Sequence, residues 1–96
     1  MFEIELGADG TVRLAGRLVA AEADGARNVF RSLSGSVTVD CERLEYISSA
    51  GLTVLVEAFK RLRTTGHGLR LTRLQPRVRN VFTYSGLDRI LRIEES

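Results

Sequence analysis

Apolar and polar positions alternate at the start of the chain, with Phe2, Ile4 and Leu6 in one run, Val12 and Leu14 in the next, and Gly7-Ala8-Asp9-Gly10 between them. A period of two belongs to a strand with one buried face, so the two runs predict an antiparallel hairpin closed by a glycine-containing turn. Between Ala20 and Leu33 the steps lengthen to three and four, at Ala23, Ala26, Phe30 and Leu33, which predicts a helix. Gly25 weakens that helix by about 1 kcal/mol relative to alanine, and Ser34-Gly35 end it. Val37 and Val39 are β-branched and lie between Gly35 and Asp40, so a short buried strand is expected there. Asp40 is expected to close that strand, with Glu42 and Glu45 in the loop beyond it.

A second helix is written more strongly. Leu52, Leu55, Val56, Phe59 and Leu62 fall on one face, and Thr53, Glu57, Lys60 and Arg61 on the other. The helix after Ser49 is expected to end near Thr64-Thr65, where Gly66-His67-Gly68 turn the chain into Leu69, Leu71 and Leu74. Pro76 suits the first turn of a third helix, with Val78, Val81, Phe82 and Leu87 as its stripe and Gly86 placed for a left-handed end. Ile90, Leu91 and Ile93 make a short final strand or packed tail, and Glu94-Glu95-Ser96 are expected to fray. After the hairpin, strand and helix alternate. That order calls for parallel strands joined by right-handed crossovers, in an α/β domain spanning residues 1–96.

The five residues Ser48-Ser49-Ala50-Gly51-Leu52 carry the most chemistry. They place two hydroxyls at the start of the amphipathic helix, where unpaired N–H groups and the helix dipole tolerate negative charge. Two readings follow from serine chemistry. One hydroxyl caps the helix, or the turn is an address for a phosphate.

Composition narrows the chemistry further. Ninety-six residues suffice for one modest core and not for a second. Cys41 is the sole cysteine, so neither an internal disulfide nor a cysteine-based metal cluster can form. The opening Met1-Phe2-Glu3-Ile4-Glu5 has no basic segment and no long apolar run, so neither a secretory signal nor a membrane span is expected, and cytoplasm is the expected compartment. The sole histidine, His67, lies between two glycines in a turn, far in sequence from Ser49, which leaves no credible Ser-His-Asp set. Asp40, Glu42 and Glu45 lack the spacing of a calcium loop, and no glycine-rich nucleotide loop is present. An enzyme is therefore not expected, and neither a metal nor another cofactor. Between Lys60 and Arg92 there are nine basic residues against one acid, whereas residues 1–59 hold nine acids and five arginines. The excess fits the solvated faces of two helices and a strand, or else nucleic acid, an acidic partner or a membrane surface. Nucleic-acid binding through Arg70, Arg73, Arg77 and Arg79 would show steep salt dependence, but exposed aromatics for single-strand stacking are scarce.

Val37-Thr38-Val39-Asp40, followed by Leu44 to Leu52, a helix, a glycine turn and a strand, resembles the STAS domain of anti-sigma factor antagonists. The likeness continues through Val78-Arg79-Asn80-Val81-Phe82 and Ser85-Gly86-Leu87-Asp88, and so covers about two thirds of the chain. It implies a mixed sheet of four to five strands with helices mainly on one face. Aligned on Gly51 and Leu52, it also implies that Ser49 is a phosphorylated hydroxyl, with Ser48 where the family commonly has an aspartate. The partner surface implied is Asp40, Ser48, Ser49, Ala50, Thr53 and Glu57. Asp40 either hydrogen-bonds the Ser48-Ser49 turn or simply fixes its own loop, and Tyr46 and Tyr84 lie near the ends with which the family meets partners. The function implied is a partner switch: the unphosphorylated domain binds a serine-kinase anti-sigma factor, phosphorylation at Ser49 releases it, and a serine phosphatase resets it. No direct nucleic-acid or membrane contact is implied, and the oligomeric state stays open. The competing reading is a constitutively bound, unphosphorylated subunit of a larger assembly such as a lipid-transport ATPase.

Overall fold

In the computed structural model, which describes residues 1–94, the hairpin comprises β1 (Phe2–Leu6) and β2 (Thr11–Leu18). Its turn is closed by the Gly7 N–H on the Thr11 carbonyl and by Asp9, whose carboxylate accepts the Thr11 N–H. Then come α1 (Ala20–Arg31), β3 (Val37–Ile47), α2 (Ser49–Arg63), β4 (Leu69–Thr72), α3 (Pro76–Ser85), a 3-10 turn (Leu87–Arg89) and β5 (Arg92–Glu94). The five strands lie in sequence order, β1 antiparallel to β2 and every later neighbour parallel. Successive parallel neighbours joined by crossovers of one hand place their helices on one face of a sheet. Burial agrees. Val12, Leu14 and Leu18 of β2, Val37, Val39, Cys41, Leu44 and Ile47 of β3, and Leu69 and Leu71 of β4 are buried on that face with Ala23, Ala26, Phe30, Leu55, Leu62, Val78 and Phe82 from the helices.

Several boundaries depart from expectation. α1 stops at Arg31 rather than Leu33, β4 at Thr72 short of Leu74, and Leu87 belongs to the 3-10 turn, not to α3. The larger correction concerns β3. It runs on through Ile47, so Asp40 is mid-strand and Glu42 and Glu45 are strand residues, not loop. Two extra residues in β3 make this possible: Arg13 pairs with Asp40 but Ala15 with Arg43, and Gly16 pairs with Leu44 but Arg17 with Tyr46. Each bulge shifts the inward phase by one, so the buried positions after Cys41 fall at Leu44 and Ile47. Of the expected fraying tail, Glu94 pairs in β5 with Thr72; Glu95 and Ser96 lie outside the described residues.

α2 buries more than one stripe. Leu52, Leu55 and Leu62 are buried as expected, but so are Val54 and Ala58, whereas Val56 and Phe59 are only half-buried. The second contact is α1. Arg61 of α2 donates to the Phe30 and Leu33 carbonyls at 2.7 and 2.8 Å, so a cation satisfies orphan carbonyls at the end of α1. Among the described residues no helix is long and apolar enough to cross a membrane.

Candidate functional site

The turn between β3 and α2 is fixed from both sides. The Ser48 N–H donates to the Leu18 carbonyl at the end of β2 (2.9 Å), and the Ser48 carbonyl accepts the Leu52 N–H (2.9 Å). Ser48 is the N-cap: its backbone is extended and its Oγ accepts the Gly51 N–H at 3.4 Å. Gly51 packs against the sheet so closely that a Cβ there would lie 2.7 Å from the Ile47 side chain and 3.0 Å from the Leu18 carbonyl oxygen. The two serines are thereby separated in role. Ser48 is half-buried and holds the helix start, whereas the Ser49 side chain is exposed and makes no hydrogen bond within the described residues. The first turn of α2 contains no acidic side chain to oppose a negative charge, and the basic residues of α2 are in its last turn.

Ala50 is half-buried one residue further on. Thr53 is exposed, and its hydroxyl donates to the Ser49 carbonyl at 3.0 Å. Glu57 continues the same exposed face but is not idle there, because it accepts the Arg27 Nε–H at 2.7 Å while Arg27 also reaches Asp24 at 2.6 Å. Glu57 thus joins α2 to α1. The neighbouring carboxylates hold the Arg27 guanidinium more firmly protonated, the Glu57 hydrogen bond foremost.

Asp40 does not meet the Ser48-Ser49 turn. It is eight residues upstream along β3, roughly 25 Å at the rise of a strand, on the sheet face away from the helices. There it is 7 % exposed and bonded through both oxygens to Arg73, with Arg13 at 3.9 Å and the Glu42 N–H at 3.0 Å. Burial pushes its carboxyl up, but the Arg73 hydrogen bonds, the Glu42 N–H and the charges of Arg73 and Arg13 outweigh this and hold it below the usual carboxylate value. Asp40 therefore organises the loop after β4. The other expected site residues, Ser48, Ser49, Ala50 and Thr53, come together at the first turn of α2, with Glu57 about one turn further along.

Cys41 is fully buried; burial and the Asp40 charge push its thiol up to about 12, so no reactive thiolate is presented. His67 is exposed in the turn before β4, at the far end of α2 from Ser49. Among the described residues no group of three or more histidine, cysteine or carboxylate side chains could hold a metal. Tyr46 and Tyr84 are both exposed, Tyr46 beside the serine turn and Tyr84 on α3. What sequence reasoning missed are the contacts of three arginines, Arg73, Arg27 and Arg61. Their partners are 28 to 33 residues away in sequence, and no local spacing signals such pairs.

The site is thus an exposed hydroxyl on the first turn of the helix that follows the central strand of a mixed sheet, in a domain of the α/β class. The chain belongs to the STAS domain family, whose profile matches residues 4–96. Over 60 residues it is 45 % identical to BtrV of Bordetella bronchiseptica, a protein named as an anti-sigma factor antagonist. That match takes in 62 % of this chain and 52 % of BtrV, so the chain spans about half the length of this curated relative. Among solved structures, the unphosphorylated form of the anti-sigma factor antagonist SpoIIAA superposes with a TM-score of 0.81 at 21 % identity, covering 100 % of this chain and 88 % of that one. The phosphorylated form of SpoIIAA, a Bacillus cell fate determinant, gives 0.73 at 20 % identity over 100 % and 91 %. At these identities the structural likeness establishes the fold.

Proposed function

We propose that this STAS domain is an anti-sigma factor antagonist working in a partner switch, with Ser49 as its phosphorylated residue. Unphosphorylated, it binds a serine-kinase anti-sigma factor through the first turns of α2; phosphorylated, it is released, and a serine phosphatase restores it. The observation that carries this reading is the division of labour between the serines: Ser48 is occupied in capping, while Ser49 is exposed in a turn with no acid. A phosphoserine adds between one and two negative charges, which a close interface cannot accommodate without repulsion and desolvation, whereas a helix start tolerates them. The switch is then a change of surface charge on an unmoved fold.

The likeness to BtrV and to both forms of SpoIIAA supports the same reading. The test is intact-mass analysis with the candidate kinase and ATP, followed by site mapping. One added phosphate is expected in wild type and in Ser48→Ala, and none in Ser49→Ala. A phosphate mapped to Ser48, or a stable complex indifferent to ATP and to Ser49→Asp, would overturn it, the latter in favour of a constitutive subunit.

A further inference from the structure

Beside the serine turn, Arg17 and Tyr46 are register partners on β2 and β3, and the Arg17 guanidinium lies over the Tyr46 ring with Cζ 4.6 Å from its centroid. Both side chains are on the face opposite the helices, since their neighbours Leu18 and Ile47 point inward and are buried. Tyr46 is nonetheless 38 % exposed, one of the few large apolar side chains left at the surface. We infer that Arg17 and Tyr46 form one preset recognition unit, which extends the Ser49 surface and receives a carboxylate of the anti-sigma partner. The inference rests on the partner-switch reading and names a contact of that same interface.

The backbone holds the pair in position. The Arg17 N–H donates to the Met1 carbonyl at 2.9 Å, and this approach is open because Gly16, at φ +88, has no Cβ; one would lie 2.0 Å from the Met1 oxygen. Opposite, the second β3 bulge sets Tyr46 outward and against Arg17. The contact with the ring satisfies none of the guanidinium's N–H groups, which are left available for a planar, two-oxygen acceptor. Among the described residues those N–H groups have no carboxylate or carbonyl partner. Arg13, Arg27 and Arg73 are bound to carboxylates, and Arg61 to two carbonyls.

Position and chemistry agree on the occupant. Tyr46 precedes Ser49 by three residues, at most about 11 Å of extended chain, so one interface of ordinary size spans both. Tyrosine and arginine are enriched at interface hot spots, and two side chains already in contact have less freedom left to lose on binding. The guanidinium selects an acidic side chain, and the tyrosine ring supplies apolar surface beside it.

The experiment measures binding of the anti-sigma kinase that phosphorylates Ser49, using full-length wild type, Arg17→Glu, Arg17→Ala, Tyr46→Ala, Tyr46→Phe and Ser49→Asp, each with a melting curve. Arg17→Ala and Tyr46→Ala are each expected to weaken binding by about ten-fold or more, with the double variant less affected than the two singles combined. Tyr46→Phe is expected to bind like wild type. Arg17→Glu is expected to lose binding without losing its fold and to regain it with a compensating Asp or Glu to Arg change in the kinase. Binding by Arg17→Glu within about two-fold of wild type would overturn the inference. If Ser49→Asp still loses binding in that case, the switch stands and only the Arg17–Tyr46 contact is wrong; if Ser49→Asp also binds, the switch itself fails.

Discussion

Arg73 reaches across 33 residues of chain to hold both oxygens of Asp40, and it does so from a left-handed backbone at φ 58, the only positive φ outside glycine among the described residues. Such a conformation costs about 1 kcal/mol or more in a residue with a side chain and persists only where its surroundings impose it. Here the Asp40 grip supplies the constraint. Gln75, two residues on, adds a bond to the Glu42 carbonyl, so the loop that launches α3 is tied to β3 at two points.

Arg73→Ala is expected to lower the thermal midpoint by about 4–8 °C, because a buried carboxylate loses its main donors. Arg73→Gly is expected to lose less, since glycine relieves the left-handed strain while removing the same ion pair. Parallel melting curves of the two variants check this, and equal losses would mean that the backbone carries no strain.

Acid should dissolve the same grip. A carboxyl whose folded pKa lies below its unfolded value near 3.8 contributes stability that is complete above that value and is lost as pH falls through the folded one. Urea midpoints from about pH 6 down to about pH 2 are therefore expected to fall more steeply in wild type than in Asp40→Asn. The two curves should draw together at the acidic end.

Glu57→Arg sets two like charges where Arg27 now finds its partner. The pair is half exposed, so the thermal midpoint is expected to fall by less than about 4 °C, and by less still in high salt. Binding to the proposed kinase partner and docking of α1 are then separable by adding Arg27→Glu, which restores the pair. Recovery of stability without recovery of binding would assign Glu57 a direct place at the interface.

Phe59 was expected in the core and is half-buried under Arg63, whose Cζ is 5.5 Å from the ring centroid. Phe59→Ala is accordingly expected to cost about 2 kcal/mol, below the range of a fully enclosed phenylalanine. Leu55→Ala, at a fully buried position, should cost about 2–5 kcal/mol. Denaturant titration of both variants gives the comparison, and a larger loss at Phe59 would place the second contact of α2 there rather than at Val54 and Ala58.

Where local chemistry decides the structure, it was legible in the sequence. Gly7 to Gly10 turn the hairpin, Pro76 opens α3, Gly86 ends it with φ +79, and Ser48 to Leu52 begin α2. β3 was legible only as far as Asp40, because its bulges change the buried spacing from two, at Val37, Val39 and Cys41, to three, at Leu44 and Ile47. A spacing of three does not look like a strand. The α2 stripe was misjudged for a related reason: a single amphipathic face presumes one neighbour, whereas α2 packs on both the sheet and α1. Asp40 and Glu57 were expected at a partner surface, whereas the contacts they make here, to Arg73 and Arg27, come from elements that only the folded topology brings near.

The lack of space at Gly51 divides four consecutive residues into those that carry shape and those that carry information. With Leu18 and Ile47 closed around it, the helix start has nowhere to retreat when a neighbour changes. In a library saturated at positions 48 to 51 and sorted only for folding, Gly51 is expected to return glycine almost alone, position 48 the small capping residues, and position 49 nearly anything hydrophilic. Sorting the same library for binding should restrict position 49 as well. A lineage can therefore change what the turn says, to which partner and with which charge, without redrawing the surface on which it is written.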